Sequence, residues 1–425
     1  MQETSERLRD LPLSGANAPG ADEAWAKSPL SDLSDAELVA SVAAAIAAPK
    51  RDADSSFLTH APLELLARAD LLAMVEPTAR QRARRRIAAI AGDYARAGDE
   101  VAPPEERFDR TGAALCALLS ALEGGDAETA DAALVHLAAR RPLAALARDL
   151  AEPLAPHLGA AGHAPILLAE LIRVEGRIEG AGVLLRAPLR AMCKERATLG
   201  WQTARSAKSF GGDAAGELMS RLAAVRPVRS PSPYIAPTML AVEANRFAED
   251  VLGDVTEGMT LDEARRAILR VAAHSMLQDD PASAPYGWTH ALTMPLAVLA
   301  TAEGASNPTA LIRIAATHAL GFRATMGKAR LALRWAPERR GSASLRNVEP
   351  AEAASAAYYW PADDLASLKR MLATRAATHG DAHLVKYTLA SFDAAGADPQ
   401  AAPLYLAATA YLGAWWDAHP DVCFE

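Results

Sequence analysis

Residues 380–392 read GDAHLVKYTLASF, and the polarity pattern of that stretch decides the fold. Gly380 breaks a preceding helix, and Asp381 is a natural N-cap for the next one. From there Leu384, Val385, Tyr387, Leu389, Ala390 and Phe392 leave almost no face for solvent, which marks a buried helix. A helix buried all round needs other helices packed about it. The same grammar runs outward along the chain. Leu115, Leu118, Leu119 and Leu122 form one stripe, and Leu134, Leu137 and Leu143, Leu146, Leu150 form others. Breaks fall at Pro103-Pro104, Gly124-Gly125, Arg141-Pro142, Gly211-Gly212 and Asn307-Pro308.

Composition agrees. Of 425 residues 51% are apolar, but only 5% are aromatic, and alanine and leucine carry the excess. These residues lose little side-chain freedom in a helix, and the strand formers are what is scarce. The expectation is an all-α, large multi-helix single domain with a central metal and substrate cavity. Residues 1–28, rich in Gly, Pro, Ser and acids, read as a flexible N-terminal arm, leaving 29–425 as the helical domain. Ser34 and Glu37 form a capping box at its start. The four prolines of residues 226–237 predict an extended crossing loop, and Trp335–Ser342 a second irregular surface stretch.

The net charge of −8 gives no phosphate-binding field, so no nucleic-acid partner is expected. The basic run Arg80, Arg82, Arg84, Arg85 and Arg86 reads as a solvated helix face. Cys116, Cys193 and Cys423 match no zinc spacing, and Cys116 in ALCALL reads as a buried free thiol. No apolar run reaches membrane-spanning length, and MQETSERLRD carries no leader-like apolar core. The expected location is cytoplasmic.

Four segments each place a histidine just ahead of an apolar helical run: FLTHAPLELLARADLL, GHAPILLAELIRV, GWTHALTMPLAVLA and DAHLVKYTLASF. In the two His-Ala-Pro copies the proline falls at or near a first helical turn. Rings at the ends of rigid helices can be aimed at one point, as bundles do when they build metal sites. Neutral imidazole binds zinc, copper, iron or nickel. For each histidine taken alone, the plainer alternative is a hydrogen-bonded core or rim residue.

His383 and Lys386 lie three apart on one helical face, and no acid sits one turn from the lysine. A buried ammonium without a partner calls for a depressed pKa, a distant acid or escape of the head group to solvent. A neutral amine beside a metal has a further option, reaction with carbon dioxide to an anionic carbamate.

In these residues the chain resembles the questin oxidase-like family, helical oxygenases linked to oxidative ring opening of anthraquinones. The likeness is carried by DAHLVKYT at 381–388, supported by SFLTHAP, GHAP and WTHA in the same order over most of the chain from about residue 30. The resemblance implies an Fe(II) site of His60, His163, His290 and His383, with carboxylated Lys386 as fifth ligand and catalytic group. It implies oxidative C–C cleavage of an aromatic polyketide or quinone-like substrate by O2, with NADPH as a candidate reductant. Tyr286, Trp288, Met294, His318 and Tyr387 are the candidate pocket lining, each also readable as core packing.

Other histidines are set aside. His157 is a substitute for His163, His379 is cut off from His383 by Gly380 and Asp381, His136 and His419 read as helix-end or surface residues, and His274 as a core histidine. Asp381 reads as a cap only. No strand-associated dinucleotide fingerprint or nucleophile elbow is present. Two rival readings remain, a zinc-dependent hydrolase or isomerase with the same ligands, and a helical interaction scaffold.

Overall fold

The computed structural model describes residues 21–51, 56–201, 210–225, 227–340, 344–420 and 422. Among them helices follow one another from Ala21 to Ala418 as one all-α domain, and no strand forms. Strand-like pairing is limited to isolated bridges between Lys50 and Glu100 and between His157 and Thr198. Local chemistry explains the breaks. Ser34 and Glu37 close the expected capping box on Asp35–Ile46. Gly125 ends Thr111–Gly124 in the left-handed conformation (φ 80°), which glycine adopts without steric cost. Residues 227–234 are non-helical, as their prolines require.

Three expectations need correction. The supposed arm is ordered from its first described residue: Ala21–Ala26 is helical, Trp25 is only 4% exposed, and its indole donates to Gln81 Oε1 at 3.0 Å. Residues 1–20 and Cys423 lie outside the described residues. The arginine run is not a solvated face. Arg80 and Arg84 pair with Asp35, Arg85 pairs with Asp22, and Arg84 and Arg85 are buried, so the run ties the N-terminal segments to the body. Cys116 is exposed, because the buried stripe of its helix follows Ala114, Leu118, Ala121 and Leu122 instead.

Nine helices frame the site: α1 (Ser56–Leu72), α2 (Ala164–Arg173), α3 (Ile235–Ala244), α4 (Leu261–Gln278), α5 (Thr289–Thr301), α6 (Pro308–Met326), α7 (Leu365–Thr378), α8 (Ala382–Ala397) and α9 (Ala402–Ala418). α1 packs against α2 and α8, and α5 packs against the same two, so four helices close a ring. α4, α6, α7 and α9 pack around that ring. Helix α8 thereby touches α1, α4, α5, α7 and α9, which is why its sequence spares no polar face.

If residues 21–26 belong to the fold, Trp25→Ala should lower unfolding free energy by about 3 kcal/mol, the usual range for an emptied aromatic site. Urea unfolding followed by far-UV dichroism reads this. A loss below about 1 kcal/mol would mean that Trp25 only rests on the surface.

Candidate metal centre

His60 is the fifth residue of α1, His163 is the N-cap of α2, and His290 and His383 are the second residues of α5 and α8. His60 therefore lies in the second turn with Pro62 inside the helix, not at a helix start. All four rings still sit near amino ends, so the ring helices run in parallel away from one histidine layer. His163 is delivered by a left-handed turn, with φ 53° at Ala160 and Ala161 and 71° at Gly162. That conformation is strained for alanine. At Gly162 a Cβ would also meet Ile235 Cγ2 at 3.0 Å, so a side chain there would press on the cover of the site.

The four imidazoles form a closed cycle. Ring centroids are 4.6 Å apart for His60–His163, 5.2 Å for His163–His290, and 5.1 Å for both His290–His383 and His383–His60. Neighbouring planes cross at 78–83°. The cycle follows the packing order of the helices that carry the rings. Nε2 of His163 lies 3.0 Å from Nε2 of His60 and 3.2 Å from Nε2 of His290. His60, His163 and His290 bring one ligand nitrogen each within 4.8 Å of one another, close enough to hold a metal ion. His383 completes the cycle through its ring contacts.

Two of the rings have their tautomers set by their partners. His290 Nδ1 lies 2.7 Å from the carbonyl oxygen of Tyr286, which only accepts, so Nδ1 carries the proton and Nε2 keeps its lone pair. His383 Nδ1 lies 3.1 Å from Asp381 Oδ1, leaving Nε2 buried with no hydrogen bond among the described residues. Asp381 also accepts from the His383 backbone N–H at 2.6 Å, so it both caps α8 and orients the His383 ring. Burial pushes His60, His163 and His290 well below the ordinary imidazole range, helped by Lys386 and the neighbouring rings. Burial also lowers His383, with Asp381 opposing. The amino-terminal ends of the helices further disfavour imidazolium. All four rings are thereby kept as neutral donors.

The residues fit a metal. Two nitrogens each about 2.1 Å from one ion are about 3.0 Å apart at a right angle and about 3.4 Å apart at the tetrahedral angle. The observed 3.0 and 3.2 Å lie in that interval. One N–H on His163 Nε2 could serve only one of its two ring neighbours, whereas a shared ion satisfies both. Beside the rings, Lys386 is 5% exposed, and its Nζ is buried without a hydrogen bond among the described residues, so its head group does not escape to solvent. Burial pulls its pKa down to about 8, with Asp381 and Glu64 working the other way. Both acids are engaged elsewhere, Asp381 with His383 and Glu64 with Arg68 Nε at 2.7 Å.

Below the histidine layer the helices repeat one register. Positions three, seven and ten residues on are Ile166, Glu170 and Arg173 in α2, and Thr293, Ala297 and Ala300 in α5. In α8 they are Lys386, Ala390 and Asp393. All nine line one cleft of about 210 Å³. In α1 the tenth position is Asp70, which joins Arg173 at 3.1 Å while Arg173 also pairs with Asp393. None of these except Lys386 was singled out in the sequence, although the spacing from each histidine was there to read.

None of the expected lining residues lines this cleft. Tyr286 packs tilted against His290 and His383, with ring centroids 4.5 and 5.6 Å away, forming a wall of the histidine layer. Trp288 packs over Arg323 and donates to the Asp280 carbonyl at 3.0 Å. Met294, His318 and Tyr387 are buried, and none lines the cleft. Among the histidines set aside, His136 is buried rather than exposed, since its helix end packs against Phe108. His379 ends α7 and its Nδ1 accepts from the Asp381 N–H at 3.0 Å. No family model, curated protein or solved structure matches the chain.

His318 has no hydrogen bond at either ring nitrogen among the described residues, and burial lowers its pKa to about 4 from 6.5. The unfolded chain therefore binds one more proton there between those values, and stability falls as pH drops through that window. One such group contributes up to about 1.4 kcal/mol per pH unit. His318→Leu should flatten the fall in urea-unfolding free energy between pH 6 and 5 by about that amount. An unchanged slope would show that the ring is already solvated.

Proposed function

We propose that the protein is a non-haem iron-dependent oxygenase that cleaves a C–C bond of an electron-rich aromatic, quinone- or polyketide-like substrate with O2. The observation that carries this reading is the closed cycle of imidazoles with a buried lysine beside it that has no hydrogen bond among the described residues. The resemblance of the four histidine segments and the His-x-x-Lys pair to the questin oxidase-like family supplies the reaction class. A cytoplasmic setting suits both ferrous iron and the free thiols Cys116 and Cys193.

His60, His163, His290 and His383 would hold the iron, with Lys386 as a fifth ligand. Bound Fe(II) would supply the one-electron chemistry that lets dioxygen react with a closed-shell aromatic. The chain's own residues do the rest. The Tyr286 carbonyl and the Asp381 carboxylate fix the orientation of two rings. Tyr286, Phe322 and Ile235 close the histidine layer against water. Lys386 is held where its neutral amine is accessible near neutral pH, so its Nζ can add to carbon dioxide, losing one proton and becoming an anionic oxygen donor. That charge would offset a divalent ion that the histidines leave uncompensated. O2 is the oxidant; NADPH would be needed only if one oxygen atom leaves as water.

Metal content by mass spectrometry tests this on wild type, His163→Ala, His383→Ala and Lys386→Ala, each checked for helix content. Near-stoichiometric iron in wild type, lost in the variants, is the expected result, together with substrate-dependent oxygen uptake. Zinc instead of iron would turn the reading to a hydrolase or isomerase. Wild type that takes up no metal on reconstitution would leave a helical scaffold.

A further inference from the structure

The cleft below the histidine layer has a graded wall. At its inner end Lys386 and Thr293 are buried, each one helical turn from a histidine. At its outer end Ala300 and Ala397 are exposed, and Arg173, Arg265 and Asp393 are half-exposed. The space exists because the middle positions are small: Ala169, Ala297 and Ala390 stand where larger side chains would fill the gap between α2, α5 and α8. The cleft therefore connects the surface with the lysine beside the metal centre.

Its polar groups are sorted by position. At the deep end Lys386 Nζ is buried without a hydrogen bond among the described residues, and in the proposed function it is assigned to the metal. At the mouth Arg173 is taken up by Asp70 and Asp393. Arg265 is less committed. Its contacts are Asp262 at 3.1 Å and Glu303 at 3.8 Å, both largely exposed, and the Leu299 carbonyl at 3.3 Å. Exposed pairs of this kind are weak and exchangeable. On the wall between, Glu170 Oε2 is buried without a hydrogen bond, its nearest cation being Arg173 Nε at 3.5 Å. Burial raises the Glu170 pKa to about 8, so at neutral pH it does not repel an anion.

Size sets the second limit. The cleft of about 210 Å³ admits one aromatic ring or two fused rings between its walls.

We infer that this cleft is the substrate site and that it takes a one- or two-ring hydroxyaromatic carboxylate, with the ring oxygen toward the histidine layer and the carboxylate at Arg265. The alanine-lined walls hold the flat apolar body, and Arg265 at the mouth fixes which end enters first. The inference rests on the proposed metal centre for its chemistry, and on the cleft alone for binding.

The test titrates 6-hydroxy-2-naphthoate, followed by its fluorescence, into the full chain, with metal content measured on the same samples. Ala297→Leu and Ala390→Leu fill the cleft from two helices and should each weaken binding by about tenfold while leaving metal content unchanged. Arg265→Gln, at the mouth, should weaken the acid by about fivefold and leave its carboxamide unaffected. Equal affinity in wild type and both leucine variants would overturn the site. An equal effect of Arg265→Gln on acid and carboxamide would overturn the assigned anion, as would no binding to wild type at millimolar probe. Cleft-dependent binding in protein that holds no metal would support this inference and sink the iron reading. Stoichiometric iron without binding would do the reverse.

Discussion

Four imidazoles packed edge to face, each centroid within 5.2 Å of the next, are the constraint on which the rest of this structure depends. Bringing four polar rings into a dry interior is costly unless each is kept neutral and its nitrogens are served. Placing them near the amino ends of four parallel helices meets the first condition. Backbone and side-chain acceptors at Tyr286 and Asp381 meet part of the second. The left-handed turn at residues 160–162 belongs to the same account, since it is the local strain that brings His163 into the layer.

Once the four histidines share a layer, helical geometry sets the layers beneath it. Ten residues of helix advance about 15 Å, so each chain presents its third, seventh and tenth positions to the same axis at matching depth. The tenth positions Asp70, Arg173 and Asp393 form an ion-paired layer that binds α1, α2 and α8 together at the far end. Small residues at the seventh positions of α5 and α8 keep the space between the two layers open. The histidine layer and the charged layer thus frame the cleft, and Lys386 lines it three residues on from His383.

The proline-rich segment has a structural reason in the same setting. It leads into α3, whose first residue, Ile235, sits on Gly162 and meets the hydroxyl of Tyr286. Tyr234, more than half exposed, meets Tyr286 edge to face at 5.5 Å, and Tyr286 packs tilted against His290. The end of the proline-rich segment and the first residue of α3 together cover the histidine layer from outside.

The sequence by itself determined the helical class, the helix ends at Ser34, Gly125 and Asn307, the burial of α8 and the membership of the histidine set. Capping, glycine conformation and apolar periodicity are local properties, and they act within a few residues. It misjudged Cys116, the arginine run and Ala21–Ala26. Each of those depends on a distant neighbour, such as Asp22 and Asp35 for the arginines. Only the tertiary structure decided that the four histidines form a closed cycle, that Asp381 orients one of them as well as capping its helix, and that Lys386 lacks a partner among the described residues. It also placed the cleft along the third, seventh and tenth positions rather than around Trp288, Met294, His318 and Tyr387. The physical reason is that a helix face is written in the sequence, whereas the order in which faces meet is set by packing among helices far apart in the chain.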